Sequence, residues 1–349
     1  MTVAEPHPGR LSKPRMGTAA ATNTHLPEPH TGLIDARLIK IEDVARDTKL
    51  YTFARRDGAK LPPYKPGAHI DLHLPNGLLR QFSLVRPADG NPDSYAVGVK
   101  RDENSRGGSR YIIDQMKVGD ELKISAPRNN FPLVEDAEHV VLFAGGIGIT
   151  PIWCMAQQLA ALGRSWKLYY ACRSRADMAF LDTLEKLEPN LRHLHFDDEG
   201  GGVLDLAKAV AEIPASAHLY CCGPNPMLKA FEAAAASRPR NLVHVEYFTP
   251  KEEAAGQEDK LGGFWVELAR SGEEYFIPEG QKVLEVLFQA GVDVDYSCEL
   301  GICGACETKV ISGIPIHHDS VLSEEEQASN EKVMICCCGC ATERLVLDM

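Results

Sequence analysis

Residues 298–306 read CELGICGAC, and Cys336 follows in the string ICCCGCA. Three thiols on one glycine-rich loop, Cys298, Cys303 and Cys306, with a fourth arriving from a distant strand, have the spacing of a plant-type 2Fe-2S cluster. Gly301 and Gly304 let such a loop wrap tightly, because glycine tolerates positive backbone angles and close approach to sulfide. Zinc is the plainer alternative, since Cys303 and Cys306 alone match a zinc knuckle. The longer gap before that pair and its single distant partner favour iron and sulfide, because structural zinc more often uses two short-spaced pairs. Cys337, Cys338 and Cys340 crowd the closing ligand. Cys336 is the choice for that ligand, with Cys337 its nearest rival.

Working outward, the 349-residue length allows two or three domains, each able to bury a core. The eleven cysteines gather round the metal-like loop or scatter through apolar segments, which fits a reducing compartment better than a disulfide framework. A cytoplasmic location is therefore expected. The N-terminal string MTVAEPHPGRLSKPRMG lacks the apolar core of a signal peptide, and no uninterrupted apolar run has membrane-spanning length. A soluble chain with no membrane partner is expected. The net charge is −12, and residues 262–349 hold sixteen acidic and five basic side chains against thirteen acidic and seventeen basic in residues 33–131. Such asymmetry marks segments with different partners or complementary faces, with solvated surface as the ordinary alternative. Nucleic acid is not an expected partner.

Residues 1–32, rich in Pro, His, Thr and Ala without apolar periodicity, read as a disordered arm. From 33 to 131, alternating segments such as HIDLHL, RQFSLV, SYAVGVK and ELKISAP, broken by Pro and Gly, predict an antiparallel β-barrel. From 132 to 249 the rhythm changes to strands alternating with helices: HVVLFAG, WKLYYACRS, LRHLHF, AHLYCCG and NLVHVEYF are the strands, and helices are expected from Thr150, near Phe180, near Leu204 and from Asn225. This βαβ pattern predicts an α/β domain with a parallel sheet. Residues 250–261, charged and poor in apolar side chains, read as a linker. In residues 262–349, GFWVELA and EYFIPE form a hairpin, KVLEVLFQAG a helix with a glycine stop, and RLVLDM a closing strand.

The string AGGIGITP follows an apolar strand and opens a helix, so backbone N–H groups and a helix N-terminus face whatever binds there; phosphate is the natural ligand. It lacks the three spaced glycines of the dinucleotide fingerprint, and tight strand-to-helix packing explains a lone glycine turn equally well. CCGPNPM, at the end of a later strand, places a second turn at the same sheet edge, with Cys222 at the crevice and a buried structural thiol as its plainer role. In the β segment, Arg80, Phe82 and Ser83 offer a cation, an aromatic edge and a hydroxyl, which suit a flat anionic ligand. Gly107, Gly108 and Ser109, flanked by Arg106 and Arg110, suit a phosphate. Taken singly, each reads as readily as a solvated arginine or an ordinary turn.

As a set and in this order, RQFSL, RGGS, GGIGITP, CGP and CELGICGAC resemble the phthalate dioxygenase reductase family, which includes vanillate O-demethylase reductases. The resemblance covers residues 35–349. It implies a multi-domain chain: an antiparallel flavin β-barrel binding FMN, a parallel-sheet α/β domain binding NAD and a β-grasp plant-type ferredoxin domain, together delivering electrons to a Rieske-type terminal oxygenase. By position it implies that Arg80, Gln81, Phe82 and Ser83 line FMN, that Val99 and Lys100 touch it from the next strand, and that Gly107, Gly108 and Ser109 hold its phosphate. Phe248 matches the aromatic that covers the flavin ring. Gly146, Ile147, Thr150, Cys222, Gly223 and Pro224 match the NADH positions, and Arg173 and Ser174 fall where the adenosine ribose binds, with NADPH the lesser alternative. Ser83, Phe248 and Cys222 stand as the residues nearest the hydride. One departure is CCGCA, where relatives carry a residue pair and then Arg-Ala after the fourth ligand.

The implied order is chemically coherent, because a nicotinamide gives up two electrons as hydride whereas a 2Fe-2S cluster accepts one, and a flavin bridges the mismatch. A mononuclear iron facial triad needs two His and a carboxylate together, and the adjacent His317 and His318 read better as loop. Two rival readings remain at this level: the same reductase feeding a cytochrome P450 or a separate ferredoxin, and an iron-sulfur redox sensor using the surplus thiols.

Overall fold

The computed structural model describes residues 32–102, 107–250 and 262–349. The expected arm, save Gly32, the expected linker, save Pro250, and Arg106 lie outside the described residues.

The first unit is built from β1 (Ile34–Ala45), β2 (Thr48–Arg55), β3 (His69–His73), β4 (Leu79–Ser83), β5 (Ser94–Lys100), helix α1 (Gly108–Gln115) and β6 (Glu121–Ile124). The six strands lie in the order β4-β3-β6-β1-β2-β5, each neighbour antiparallel. Leu84 bridges Val97, so the two edges meet and the sheet closes into a barrel, which removes its open edges. In β3 the alternation sends Ile70 and Leu72 into the barrel core. Its other face carries His69, Asp71 and His73, yet these are only 5%, 3% and 8% exposed. A half-solvated antiparallel sheet leaves such residues wet; here that face is covered.

The second unit runs β7 (His139–Gly145), α2 (Ile149–Ala161), β8 (Ser165–Cys172), α3 (Leu181–Leu184), β9 (Arg192–Phe196), α4 (Asp197–Gly200), α5 (Leu206–Ala211), β10 (His218–Cys222), α6 (Asn225–Ala235) and β11 (Val243–Glu246). Its sheet is parallel throughout, in the order β11-β10-β7-β8-β9. Strand β7 is apolar on both faces because both are buried: Val140, Leu142 and Ala144 pack with Ile149, Ile152 and Met155 of α2, while Val141 and Phe143 pack with Leu206 of α5 and Leu228 and Phe231 of α6.

The third unit comprises β12 (Phe264–Leu268), β13 (Glu273–Ile277), α7 (Val283–Gln289), β14 (Glu307–Ser312), β15 (Pro315–Ile316), α8 (Glu324–Ser329), β16 (Lys332–Met334), β17 (Gly339–Cys340) and β18 (Arg344–Leu347). The mixed sheet β13-β12-β18-β14-β16, with β12 and β18 parallel, buries Val283, Leu284 and Leu287 of α7. That is the β-grasp arrangement.

The barrel joins both other units. On the nucleotide side, Leu50, Val85 and Ala96 pack with Trp153 and Phe180. Arg46 pairs with Asp177 at 2.6 Å, and its backbone N–H donates to Ala176. On the other side Gln81 Nε2 donates to Ser297 Oγ, and Asn130 Nδ2 donates to the Cys303 carbonyl at 2.8 Å. An exposed Arg240–Glu324 pair links the second and third units; solvent screening leaves pairs of that kind little weight in stability.

Candidate functional site

Strand β4 holds the RQFS string at one mouth of the barrel. Opposed residues in an antiparallel pair share a face, and Arg80 opposes Leu72, Phe82 opposes Ile70, Gln81 opposes Asp71 and Ser83 opposes His69. The four candidates therefore divide, Arg80 and Phe82 on one face, Gln81 and Ser83 on the other. Phe82 packs on the barrel core and Ser83 is 4% exposed. Arg80 runs along the RGGS turn so closely that a Cβ on Gly108 would stand 2.5 Å from its Nε. Gly107, with φ +91, begins α1, and the Ser109 hydroxyl accepts the Asp102 amide at 3.3 Å. A left-handed glycine opening a helix beside an arginine is a cradle that fits a phosphate.

Val99 is buried and Lys100 half-buried at the end of β5. Between them and the second unit there is no room for a side chain at Gly98, whose Cβ would lie 2.6 Å from Thr150 Cγ2 and 3.7 Å from Ile147 Cδ1. The barrel strand thus abuts the loop after β7. That loop is fixed from within: Thr150 Oγ1 donates to the Ile147 carbonyl at 3.0 Å, and Tyr170 Oη donates to the Gly146 carbonyl at 2.9 Å.

The two glycine loops of the parallel sheet meet main chain to main chain. A Cβ on Gly148 would stand 2.2 Å from the Cys222 carbonyl oxygen, and one on Gly145 would stand 2.7 Å from Pro224 Cδ. A Cβ on Gly223 would stand 3.2 Å from Gly145 Cα. Both loops lie at the carboxyl ends of adjacent strands, where doubly wound sheets bind nucleotides. Cys222 is fully buried, and burial pushes its thiol well above the ordinary range. Phe248, just beyond β11, packs against the core of the second unit. Arg173 is exposed beyond β8. The Ser174 hydroxyl donates to Asp177 at 2.7 Å and accepts from Arg46 at 3.4 Å.

Cys298, Cys303, Cys306 and Cys336 are 4%, 3%, 4% and 1% exposed. Backbone amides aim at their sulfurs: Cys298 Sγ accepts from Leu300 and Ile302 at 3.3 and 3.5 Å, and Cys303 Sγ accepts from Cys298 at 3.4 Å. Donors of this kind stabilise thiolates and tune a cluster bound to them. Gly301 and Gly304 adopt φ +69 and +72, and Glu299 sits at φ +58, where only the surroundings can hold a residue with a side chain; Lys282 Nζ grips its carbonyl at 3.1 Å. The Cys298 thiol neighbours both Cys303 and Cys336. Contact with Cys298, then burial, pushes the Cys303 thiol far up. The donor set fits a 2Fe-2S cluster.

Cys337 lies beside this cage. It contacts Cys336, and a Cβ on Gly301 would meet its Sγ at 2.6 Å. Cys338 is buried apart, and Cys340 Sγ lies 3.2 Å from Thr342 Oγ1. The residues His317 and His318 occupy a loop.

Sequence reasoning missed two features of this region. Glu246, inside the quoted VEYF string, ends β11 in register with Cys222. The residue as a whole is half-buried, but its Oε2 is shut from solvent without a hydrogen-bond partner, and burial raises its pKa to about 8 against a smaller opposing effect of Cys222. A carboxylate closing an apolar strand was the available signal. Asn130, by contrast, reaches the cluster loop from the barrel's far end, and nothing local in APRNNFP announces that contact.

A 2Fe-2S iron-sulfur cluster binding domain matches residues 266–341, and an oxidoreductase NAD-binding domain matches residues 142–233. The iron-sulfur match sets the zinc alternative aside. The chain is 47% identical over 321 residues to a tetrachlorobenzoquinone reductase of Sphingobium chlorophenolicum, covering 90% of this chain and 98% of the relative. It is 48% identical over 295 residues to a phenoxybenzoate dioxygenase subunit beta of Ectopseudomonas oleovorans, covering 84% and 90%. Among solved structures, phthalate dioxygenase reductase, described as a modular structure for electron transfer from pyridine nucleotides to [2Fe-2S], aligns at TM-score 0.65 and 36% identity over 91% of this chain and 98% of that one. An intact type IV self-sufficient cytochrome P450 monooxygenase aligns at TM-score 0.82 and 36% identity; 91% of this chain matches 41% of that longer one. No helix among the described residues is long and apolar enough to cross a membrane.

Proposed function

Since the chain belongs to the phthalate dioxygenase reductase family, we propose that it spends the electrons of NADH on a separate Rieske-type terminal oxygenase acting on an aromatic acid or aryl ether. FMN, when bound, accepts a hydride and releases electrons singly, and the 2Fe-2S cluster, when bound, carries one at a time. The chain's own residues bind, orient and insulate these groups.

In this reading Arg80, Gly107, Gly108 and Ser109 hold the flavin phosphate, Phe82 and Ser83 with Val99 and Lys100 border the ring from the two sides of the strand, and Gln81, expected from the resemblance to line it too, reaches the cluster loop instead. The Ser83 hydroxyl is the group offered to the ring nitrogen that takes the hydride. Gly146, Ile147 and Thr150 with Cys222, Gly223 and Pro224 seat the nicotinamide nucleotide where β5 abuts the loop after β7. Phe248 would cover the flavin ring. Arg173 and Ser174 border the adenosine ribose. Asp177 beside Ser174 favours a ribose hydroxyl over a 2′-phosphate, which supports NADH. Cys298, Cys303, Cys306 and Cys336 hold the cluster. By composition the units correspond to residues 33–131, 132–249 and 262–349.

One observation carries the reading: the barrel strand bearing Ser83 also bears Gln81, which holds Ser297 beside the first cluster cysteine. The strand that would line the flavin and the loop that would hold the cluster are in direct contact, an arrangement that would bring the two groups near each other. The acidic third unit gives that exit a face for a basic patch on the oxygenase. The test is NADH-driven product formation with a purified Rieske-type oxygenase of aromatic acids, followed across ionic strength. Coupled turnover that falls steeply with salt is expected; turnover only with a haem monooxygenase would replace the partner. The likeness to the self-sufficient P450 chain favours that second reading.

A further inference from the structure

The covered face of β3 contains an ion pair that neither the flavin strand nor the cluster loop accounts for. Arg128, past the end of β6, pairs with His69 through its backbone, donating to the His69 carbonyl at 3.0 Å and accepting its N–H at 2.8 Å. Its Nη2 reaches both oxygens of Asp71 at 2.8 Å, and the Asp71 side chain is 4% exposed. The Asp71 amide is itself held by Ser125 Oγ at 2.9 Å. The guanidinium is thereby held to the barrel through Nη2, with the Arg128 side chain 31% exposed.

The residues on either side of this pair grip the cluster loop. Gln81, directly across the ladder from Asp71, holds Ser297. Asn130 holds the Cys303 carbonyl, and Gly304 lies so close that a Cβ there would stand 3.1 Å from Asn130 Nδ2. Arg128 is thus tied to both anchors by which the barrel grips residues 297–304: its partner Asp71 opposes Gln81, and Asn130 lies two residues further on. Its Nε–H is buried and has no partner. Burial disfavours its charge, but Asp71 and, beyond it, the Cys303 and Cys298 sulfurs hold its pKa above the ordinary value.

We propose that Arg128, a barrel residue, sets the reduction potential of the cluster bound in the third unit. Reduction brings one electron from the flavin, forms no bond and adds one negative charge to the four-thiolate cage. A cation held on the barrel face that grips the cluster loop, within electrostatic reach of two of its thiolates and with an N–H donor left over, favours the reduced state. Asp71 fixes the cation and offsets part of its field. The driving force for the flavin-to-cluster step therefore depends on the barrel and on the docking of the two units, so that a separated ferredoxin unit would be the poorer acceptor.

The experiment is a redox titration of the purified holoprotein, following cluster reduction by its EPR signal and flavin reduction by absorbance. Arg128→Gln is expected to lower the reduced-to-oxidised ratio of the cluster at fixed potential about tenfold, which is about 59 mV for one electron. Arg128→Lys restores most of the shift, Asp71→Asn moves it the opposite way, and the flavin potential stays put. Unmoved cluster potentials in Arg128→Gln and Asp71→Asn overturn the proposal, as does a parallel shift of flavin and cluster, which marks general loosening. If Arg128→Gln loads no cluster, Arg128→Lys and Asp71→Asn decide: opposed shifts of the cluster alone support the proposal, and unmoved potentials overturn it. The proposal rests on the cluster assignment, and iron and sulfide analysis of the unsubstituted protein tests that assignment separately.

Discussion

Cys222 and Glu246 stand in register at the carboxyl ends of neighbouring parallel strands, the thiol fully buried and the carboxyl Oε2 shut from water. Burial raises Glu246 to about 8 from an ordinary 4.5, so the carboxyl is protonated at neutral pH. A group whose folded value lies above its unfolded one contributes stability that is fully present below pH 4.5 and is lost as pH rises through about 8. Thermal melts of the flavin- and cluster-loaded protein between pH 5 and 9, roughly spanning that window, should show melting temperature falling with pH. Glu246→Gln should flatten the profile; an unchanged slope would show that another group titrates.

The main-chain contact between the loops after β7 and β10 predicts a sensitive position at Gly148. A methyl there meets the Cys222 carbonyl, so Gly148→Ala must part the loops at a cost of about 1–3 kcal/mol. NADH saturation kinetics should show a raised KM, and a melt should show lower stability. Normal values of both would mean that the loops do not bind nucleotide in this arrangement.

Cluster ligation is expected to divide the C-terminal thiols sharply. Cys336→Ser should empty or cripple the site, whereas Cys337→Ser should leave iron and labile sulfide near the unsubstituted content. The reverse result would make Cys337 the ligand and Cys336 its neighbour. Because Cys337 packs against Gly301, small changes in the visible spectrum of Cys337→Ser are compatible with retained ligation.

Gln81 and Ser297 should behave as a coupled pair. Each replacement by Ala is expected to slow cluster reduction after the flavin is reduced, and the double variant should be no worse than the poorer single one. Contacting residues show interaction energies of about 0.5–3 kcal/mol. Additive effects in rapid-mixing kinetics would mean that the two act separately.

Ser83→Ala tests the hydride step. Loss of one hydrogen bond is worth about 0.5–1.5 kcal/mol, so flavin reduction by NADH should slow by about threefold to tenfold. A full rate in the anaerobic single-turnover reaction would remove Ser83 from that role.

The architecture was legible in sequence wherever a local pattern carries a global meaning. Period-two alternation in HIDLHL, doubly apolar HVVLFAG and the glycine stop after KVLEVLFQ each correspond to an observed element. The cysteine spacing works for the same reason, since three ligands share one loop. What escaped was set by tertiary contact. The polar residues of β3 are buried, and only the folded chain brings Arg128 to Asp71 and Asn130 against a loop so distant in sequence. Similarly, RQFS reads as one group of ligands, whereas the ladder assigns alternate residues to opposite faces.

The central claim is that electrons from one hydride leave through the cluster singly, and anaerobic mixing of the holoprotein with NADH tests it most directly. Flavin bleaching followed by optical absorbance and cluster reduction followed by freeze-quenched EPR give the order of events. Flavin reduction should come first, with the reduced-cluster signal rising from it in the same turnover and without added mediator. A reduced flavin beside a cluster that stays oxidised on the timescale of turnover would contradict the account.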